Sequence, residues 1–99
     1  MKADRQRIDK WLWHARLVRT RTDAAALATS GRVRINGQRI AAAAQAVRAG
    51  DVVTVALDRT VRVLRVTGFV ERRGSATLAR ALYEDLQPPA QEQPPAGTT

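Results

Sequence analysis

Ninety-nine residues suit one domain with a single modest core, and a chain of that size has little apolar surface to leave unused. No cysteine is present, which excludes a disulfide framework and a cysteine-based zinc site and fits a reducing cytoplasm. The formal net charge of +8 is unevenly placed: residues 1–39 carry ten Lys/Arg against three Asp, a balance of +7, and residues 40–99 seven against six, a balance of +1. Such a one-sided field attracts polyanions, chiefly nucleic acid and less often anionic membrane, because neutralised phosphates release counterions. The opening "MKADRQRIDKW" lacks the apolar core of a secretory signal, and no stretch approaches the ~18 apolar residues of a membrane span. A soluble, cytoplasmic protein with no membrane partner is expected.

From Ile8, the residues Ile8, Trp11, Leu12, Ala15 and Val18 recur at helical spacing on one arc. The opposite arc holds Asp9, Lys10, Trp13, His14, Arg16 and Leu17, so Trp11 is expected in the core and Trp13 among cations. After the break "RTRT", Thr22 reads as an N-cap with Asp23 in the first turn of a helix over 22–30, which Gly31 ends. "GRVRINGQRI" alternates around Asn36-Gly37, the strongest short-range signal for a type I′ hairpin. That turn sets Ile35 opposite Gln38, Arg34 opposite Arg39 and Val33 opposite Ile40, with Val33, Ile35 and Ile40 on the buried face. Arg34 and Arg39 then form a cross-strand pair of like charges beside Arg32, which is destabilising unless an anion covers it.

Residues 41–46 and "VRAGD" read as a connection to a strand over 52–57, a turn at Asp58-Arg59 and a strand over 61–70. The arginine spacing in "VRVLRV" suggests a bulge near Val63-Leu64. Ser75 caps a helix expected over 76–86, with Leu78, Leu82 and Leu86 on one side, and "QPPAQEQPPAGTT" has the composition of a disordered tail. The reading is an α+β chain of two packed N-terminal helices against a small, mainly antiparallel twisted sheet, with a short C-terminal helix.

The inventory argues against catalysis. His14 is the sole histidine, expected at a helix surface, and Glu84-Asp85 is expected to be solvated near a helix end. No phosphate-binding loop, dinucleotide fingerprint or metal spacing occurs, so no enzyme, cofactor or metal is expected. A binding surface needs less. Its candidates are Lys10, Trp13 and Arg16 on the first helix, Arg19, Thr20 and Arg21 between the helices, and Arg32, Arg34, Asn36, Gly37 and Arg39 at the hairpin. Arginine outnumbers lysine fifteen to two, and guanidinium groups grip phosphate in bidentate fashion and stack on bases. Trp13 either stacks on an unpaired base or packs under the terminal helix; both readings stay open here.

The order "RIDKWLWHARLVRTRTDA", "GRVRINGQR", "GD" and strand resembles the S-four RNA-binding domain over about residues 7–57. With the later "ERRGSATLARALYEDL" it resembles the bacterial heat-shock protein 15 family more closely still. The resemblance implies an αL-type fold gripping structured RNA with its helix pair and hairpin, with the family's basic surface falling on Arg7, Lys10, Arg16, Arg19, Arg21, Arg32, Arg34, Asn36 and Arg39. It implies a stress-response protein that binds ribosomal RNA of the large ribosomal subunit, including stalled subunits holding nascent chain and transfer RNA, and helps recycle or rescue them. It also divides the chain into an S-four-like domain over 1–70, a linker and helix over 71–86, and the tail over 87–99. Two departures stand out: "AAAAQAV" replaces a common Pro-Ser pair, and a short Pro-rich tail stands where the family carries a long basic extension. A monomer is expected. Transfer RNA as a direct partner, weak DNA binding and a general RNA-chaperone role stay open; a DNA-binding protein or a small RNA-modifying enzyme is disfavoured.

Overall fold

Residues 4–86 are described by a computed structural model; the expected tail over 87–99 lies outside them. A short strand, β1 (Arg5–Arg7), runs directly into α1 (Ile8–His14), and α2 (Arg21–Thr29) packs beside it. Then follow β2 (Val33–Ile35), β3 (Gln38–Arg39), β4 (Ala46–Arg48), β5 (Val52–Ala56) and β6 (Val61–Val66). The chain closes with α3 (Ala76–Ala79), a 3-10 turn at Arg80–Leu82 and β7 (Tyr83–Asp85). The main sheet has five strands in the order β3-β2-β5-β6-β7, and a separate ribbon pairs β1 with β4. Every pair is antiparallel. No helix among the described residues is long and apolar enough to cross a membrane.

One sheet face is apolar because strand side chains alternate. Val33, Ile35, Val53, Val55, Leu64 and Val66 form its buried side, and Ile8, Trp11, Leu12, Ala24 and Ala28 of the two helices join them in one core. The alanines of α2 place small side chains in that core. The hairpin register is the one the turn chemistry dictates: Arg34 pairs with Arg39 and Ile35 with Gln38, and Ile40 N–H donates to Val33 O at 3.2 Å. Both turn residues take positive φ, 52° at Asn36 and 84° at Gly37, as a type I′ turn requires.

Several expectations are corrected. The cap of α2 is Thr20, not Thr22: Thr20 is extended and its hydroxyl accepts from Asp23 N–H at 3.0 Å, so the helix starts at Arg21. Strands β5 and β6 pair in unbroken register from Val52–Arg65 to Ala56–Val61, so no bulge occurs at Val63-Leu64, and β6 stops at Val66. The connection at 41–48 contains a strand, β4, because β1 offers it a partner: Gln6 pairs with Val47 and Arg7 with Ala46. The helix expected over 76–86 lasts one turn plus a 3-10 turn, and Tyr83–Asp85 becomes an edge strand on β6. Backbone pairing with β6 accounts for the change, and it brings Glu84 to Arg65 at 2.9 Å and Asp85 to Arg62 at 2.8 Å, so this acidic pair is matched with arginines and not merely solvated.

Trp11 is fully buried at the centre of this arrangement. Trp11→Ala is expected to lower unfolding free energy by ~3–5 kcal/mol, the cost of truncating a buried aromatic side chain. Urea unfolding followed by circular dichroism measures it, and a loss below about 1 kcal/mol would contradict the central placement.

Candidate nucleic-acid interface

The N-terminal arginines are organised by one acid. Asp9, expected on the exposed arc, is only 3% exposed. Its carboxylate accepts from Arg7 Nε at 3.1 Å and Nη2 at 3.0 Å, from Lys10 N–H at 2.7 Å, and lies 3.5 Å from Arg21 Nη2. Burial without such partners would be costly, which is why the residue turns inward. Arg7 and Arg21, distant in sequence, thereby meet at one point while their side chains stay 53% and 42% exposed. Thr20 contributes its hydroxyl to the α2 cap and is committed there.

At the other end of α1 the chain turns through Arg16, which takes φ 61°. Arg16 N–H donates to Trp13 O at 3.0 Å and Leu17 N–H to Leu12 O at 3.1 Å, the reciprocal pattern of a Schellman cap with arginine in the usual glycine position. The helix therefore ends a turn earlier than the apolar spacing suggests. The segment at 73–74 supports it: Arg73 donates to Trp13 O at 3.1 Å and Val18 O at 3.3 Å, and Arg16 Nη1 donates to Gly74 O at 2.9 Å. Arg73 also stands over the Trp13 indole, 5.6 Å from its centroid. Trp13 is thus half-buried, packed beneath an arginine of the 71–75 segment.

At the hairpin, Arg34 and Arg39 are exposed opposite one another. Asn36 is bound into the scaffold: its Nδ2 donates to Asp51 Oδ1 at 3.1 Å and its Oδ1 accepts from Val52 N–H at 2.9 Å. Gly37 has open space around it. Arg32 stands 3.7 Å from Asp58, whereas Arg19 is exposed and Lys10 half-buried. The structure thus unites the predicted residues in clusters: Arg7 with Arg21, Trp13 with Arg16, and Arg34 with Arg39. Two contributors were missed. Arg73 lacked any local signal, since its role depends on carbonyls 55 and 60 residues away. Arg5 pairs with Arg48 across the β1–β4 ribbon, a second cross-strand like-charge pair that no turn motif announces. No cluster of metal-ligating side chains occurs among the described residues.

Two packed helices, a hairpin with paired arginines and an N-terminal field of positive charge define an S4-type RNA-binding domain, and the S4 domain family model matches residues 6–53. The chain is 42% identical over 81 residues to a heat shock protein 15 homolog of Aeromonas salmonicida and 35% identical over 79 residues to heat shock protein 15 of Escherichia coli K12. Those alignments cover 82% and 80% of this chain and 61% and 59% of the relatives, so the chain spans about three fifths of their length. A trimeric structure of heat shock protein 15 from Vibrio cholerae superposes with TM-score 0.76 at 31% identity, covering 82% of this chain and 81% of that one. The chain belongs to the heat shock protein 15 family.

His14 corrects another expectation: it is 1% exposed, not a surface residue, because Val70 and the segment after it cover the second side of α1. Its ring lies 5.3 Å from that of Trp13. Burial, with Lys10 and Arg21 nearby, pushes its pKa below the ordinary histidine value, outweighing the Val70 backbone and Glu71. The folded protein therefore takes up a proton at His14 less readily than the unfolded chain, whose imidazole has the ordinary value of 6.5. His14 thus adds nothing against stability above that value and costs stability as pH falls below it. Urea unfolding between pH 7.5 and 5.5 is expected to show a steeper loss for the wild type than for His14→Gln; parallel lines would contradict a buried neutral imidazole.

Proposed function

We propose that this protein is a non-catalytic, cytoplasmic RNA-binding protein whose target is ribosomal RNA of the large ribosomal subunit. Its role on this reading is rescue or recycling of stalled subunits that carry nascent chain and transfer RNA. The observation that carries the reading is the Arg34–Arg39 pair: two exposed arginines at directly opposed positions of a short hairpin, a cross-strand like-charge pair that a nearby anion would relieve. Phosphate supplies that anion, and arginine binds it in bidentate fashion. Arg7 and Arg21, presented by Asp9, and Arg16, Arg19 and Arg32 extend the contact along the helix pair. Lys10 adds charge, Gly37 lets a backbone approach closely, and Asn36 and Thr20 contribute by fixing the loops that carry their neighbours. Trp13 serves chiefly as the platform for Arg73, since a base would have to displace that guanidinium.

A structured RNA suits this surface better than duplex DNA, because the basic residues of the described chain lie on helix ends and a hairpin and not along the recognition helix of a helix-turn-helix. The family resemblance favours the large subunit as target. On this reading the monomer is the RNA-binding unit, and sedimentation equilibrium separates its 10.9 kDa from a trimer like that of the Vibrio cholerae relative.

Sedimentation of cell lysate is expected to place the protein with large subunits; even distribution over all RNA would favour the general-chaperone alternative. With about five phosphate contacts, affinity for purified large subunits should fall with salt at a log–log slope of roughly −3.5 to −4.5. Arg34→Glu creates an opposite-charge pair with Arg39, so stability should hold or rise by up to ~1 kcal/mol while affinity falls more than tenfold, about 1.4 kcal/mol. Thermal unfolding and subunit binding of the same variant check both halves, and normal binding by a stable variant removes the hairpin from the surface.

A further inference from the structure

A cleft of about 770 Å³ opens between α2, the segment before it and the turn that joins β5 to β6. That volume lies within the ~300–1,000 Å³ typical of sites for small molecules. The floor is apolar, made by Leu17, Val18, Leu27 and Leu57, each partly buried and packed on the core. The rim carries both signs of charge, with Arg19, Arg32 and Arg59 as cations and Asp23 and Asp58 as carboxylates.

We propose that this cleft takes one unpaired nucleotide of the bound RNA, its base on the apolar floor, its phosphate on the rim arginines and its N–H edge on a rim carboxylate. The proposal rests on the RNA-binding reading and adds a site to it. Each part of a nucleotide has a counterpart here, which an acidic peptide would not: the carboxylates would repel its side chains, whereas a base edge offers N–H donors to them. The Arg32–Asp58 contact shows how the exchange would run. At 3.7 Å, with side chains 57% and 97% exposed, that ion pair contributes little and is readily separated. An incoming phosphate takes Arg32 and a base N–H takes Asp58, so both charges keep a partner. Arg19 and Arg32 already belong to the proposed RNA surface, which makes the cleft continuous with it.

The edge chemistry also ranks the bases. Guanine presents two adjacent N–H groups that match the two oxygens of one carboxylate, whereas uracil has a single N–H and no amino group. An unpaired guanosine is therefore the preferred occupant.

The test uses the full chain and three RNA hairpins identical but for a fully paired stem, a single bulged guanosine or a single bulged uridine, with affinity read by fluorescence anisotropy at one salt concentration. The wild type is expected to bind the guanosine-bulged hairpin at least fivefold tighter than the paired one, with uridine gaining no more than twofold. Ala26 is exposed on α2 and lines the cleft, and leucine is a good helix former with neither charge nor acceptor, so Ala26→Leu intrudes on the site and is compatible with the helix. It should erase the guanosine preference while the paired hairpin loses no more than threefold. Arg59→Ala, in an exposed turn, provides a second variant with the same expected loss of preference should Ala26→Leu unfold. Equal wild-type affinity for all three hairpins overturns the cleft and leaves RNA binding standing. A guanosine preference that survives in the folded variants also overturns it. Failure to bind any hairpin overturns the cleft together with the RNA-binding reading.

Discussion

A carboxylate removed from water must find its hydrogen bonds and counter-charges inside the protein, and Asp9 finds them on three elements at once. Arg7 belongs to β1, the Lys10 N–H to the first turn of α1, and Arg21 to the start of α2. The side chain therefore ties β1 and the starts of α1 and α2 together at one point. Trp11 and Leu12 share one core with Ala24 and Ala28, and the helix pair lies on the sheet as one apolar layer. The same bond leaves a surplus of positive charge, since one acid faces two guanidinium groups.

The charge asymmetry of the sequence resolves into a pattern of ion pairs. In the C-terminal half, Arg62 and Arg65 are matched by Asp85 and Glu84 across the β6–β7 pairing, so that edge of the sheet is close to neutral. At the opposite edge, Arg34 and Arg39 face each other, and Arg32 has a long contact with Asp58. The sheet thus has one edge where arginines are matched by acids and one where two arginines are opposed. Strand β7 confines the unmatched positive charge by engaging arginines that would otherwise spread it over both edges.

What could be read from the sequence was what the chain decides locally. Asn36-Gly37 determines its own dihedral angles, and from those the register, the buried face and the arginine pair all follow. Trp11 was legible because core spacing and a bulky side chain agree. The failures share one cause, which is that a distant segment overrode a local preference. His14 looked exposed on a helix assumed to have one covered side, but residues near Val70 cover a second one. Three-residue strands such as β1 and β4 have no periodicity to detect and exist only as partners. The sequence at 76–86 has good helical residues, yet pairing with β6 draws its last part into the sheet. For the candidate site, the exposed, opposed arginines of the hairpin were legible, whereas the bonds made by Asp9 and Arg73 were not, since each reaches groups brought close only by the fold.

Arginine at the left-handed turn after α1 has an entropic consequence. A residue with a Cβ is less comfortable there than glycine by roughly 1–2 kcal/mol, and that cost is met during folding. In exchange the long side chain leaves a rigid backbone in a set direction, tethered by one of its five N–H donors to Gly74. Ordering a free side chain at an interface costs about 0.5–1.5 kcal/mol of binding energy. Arg16 has given up part of that freedom to the Gly74 bond, so any anion bound by its remaining donors would have less of it left to remove.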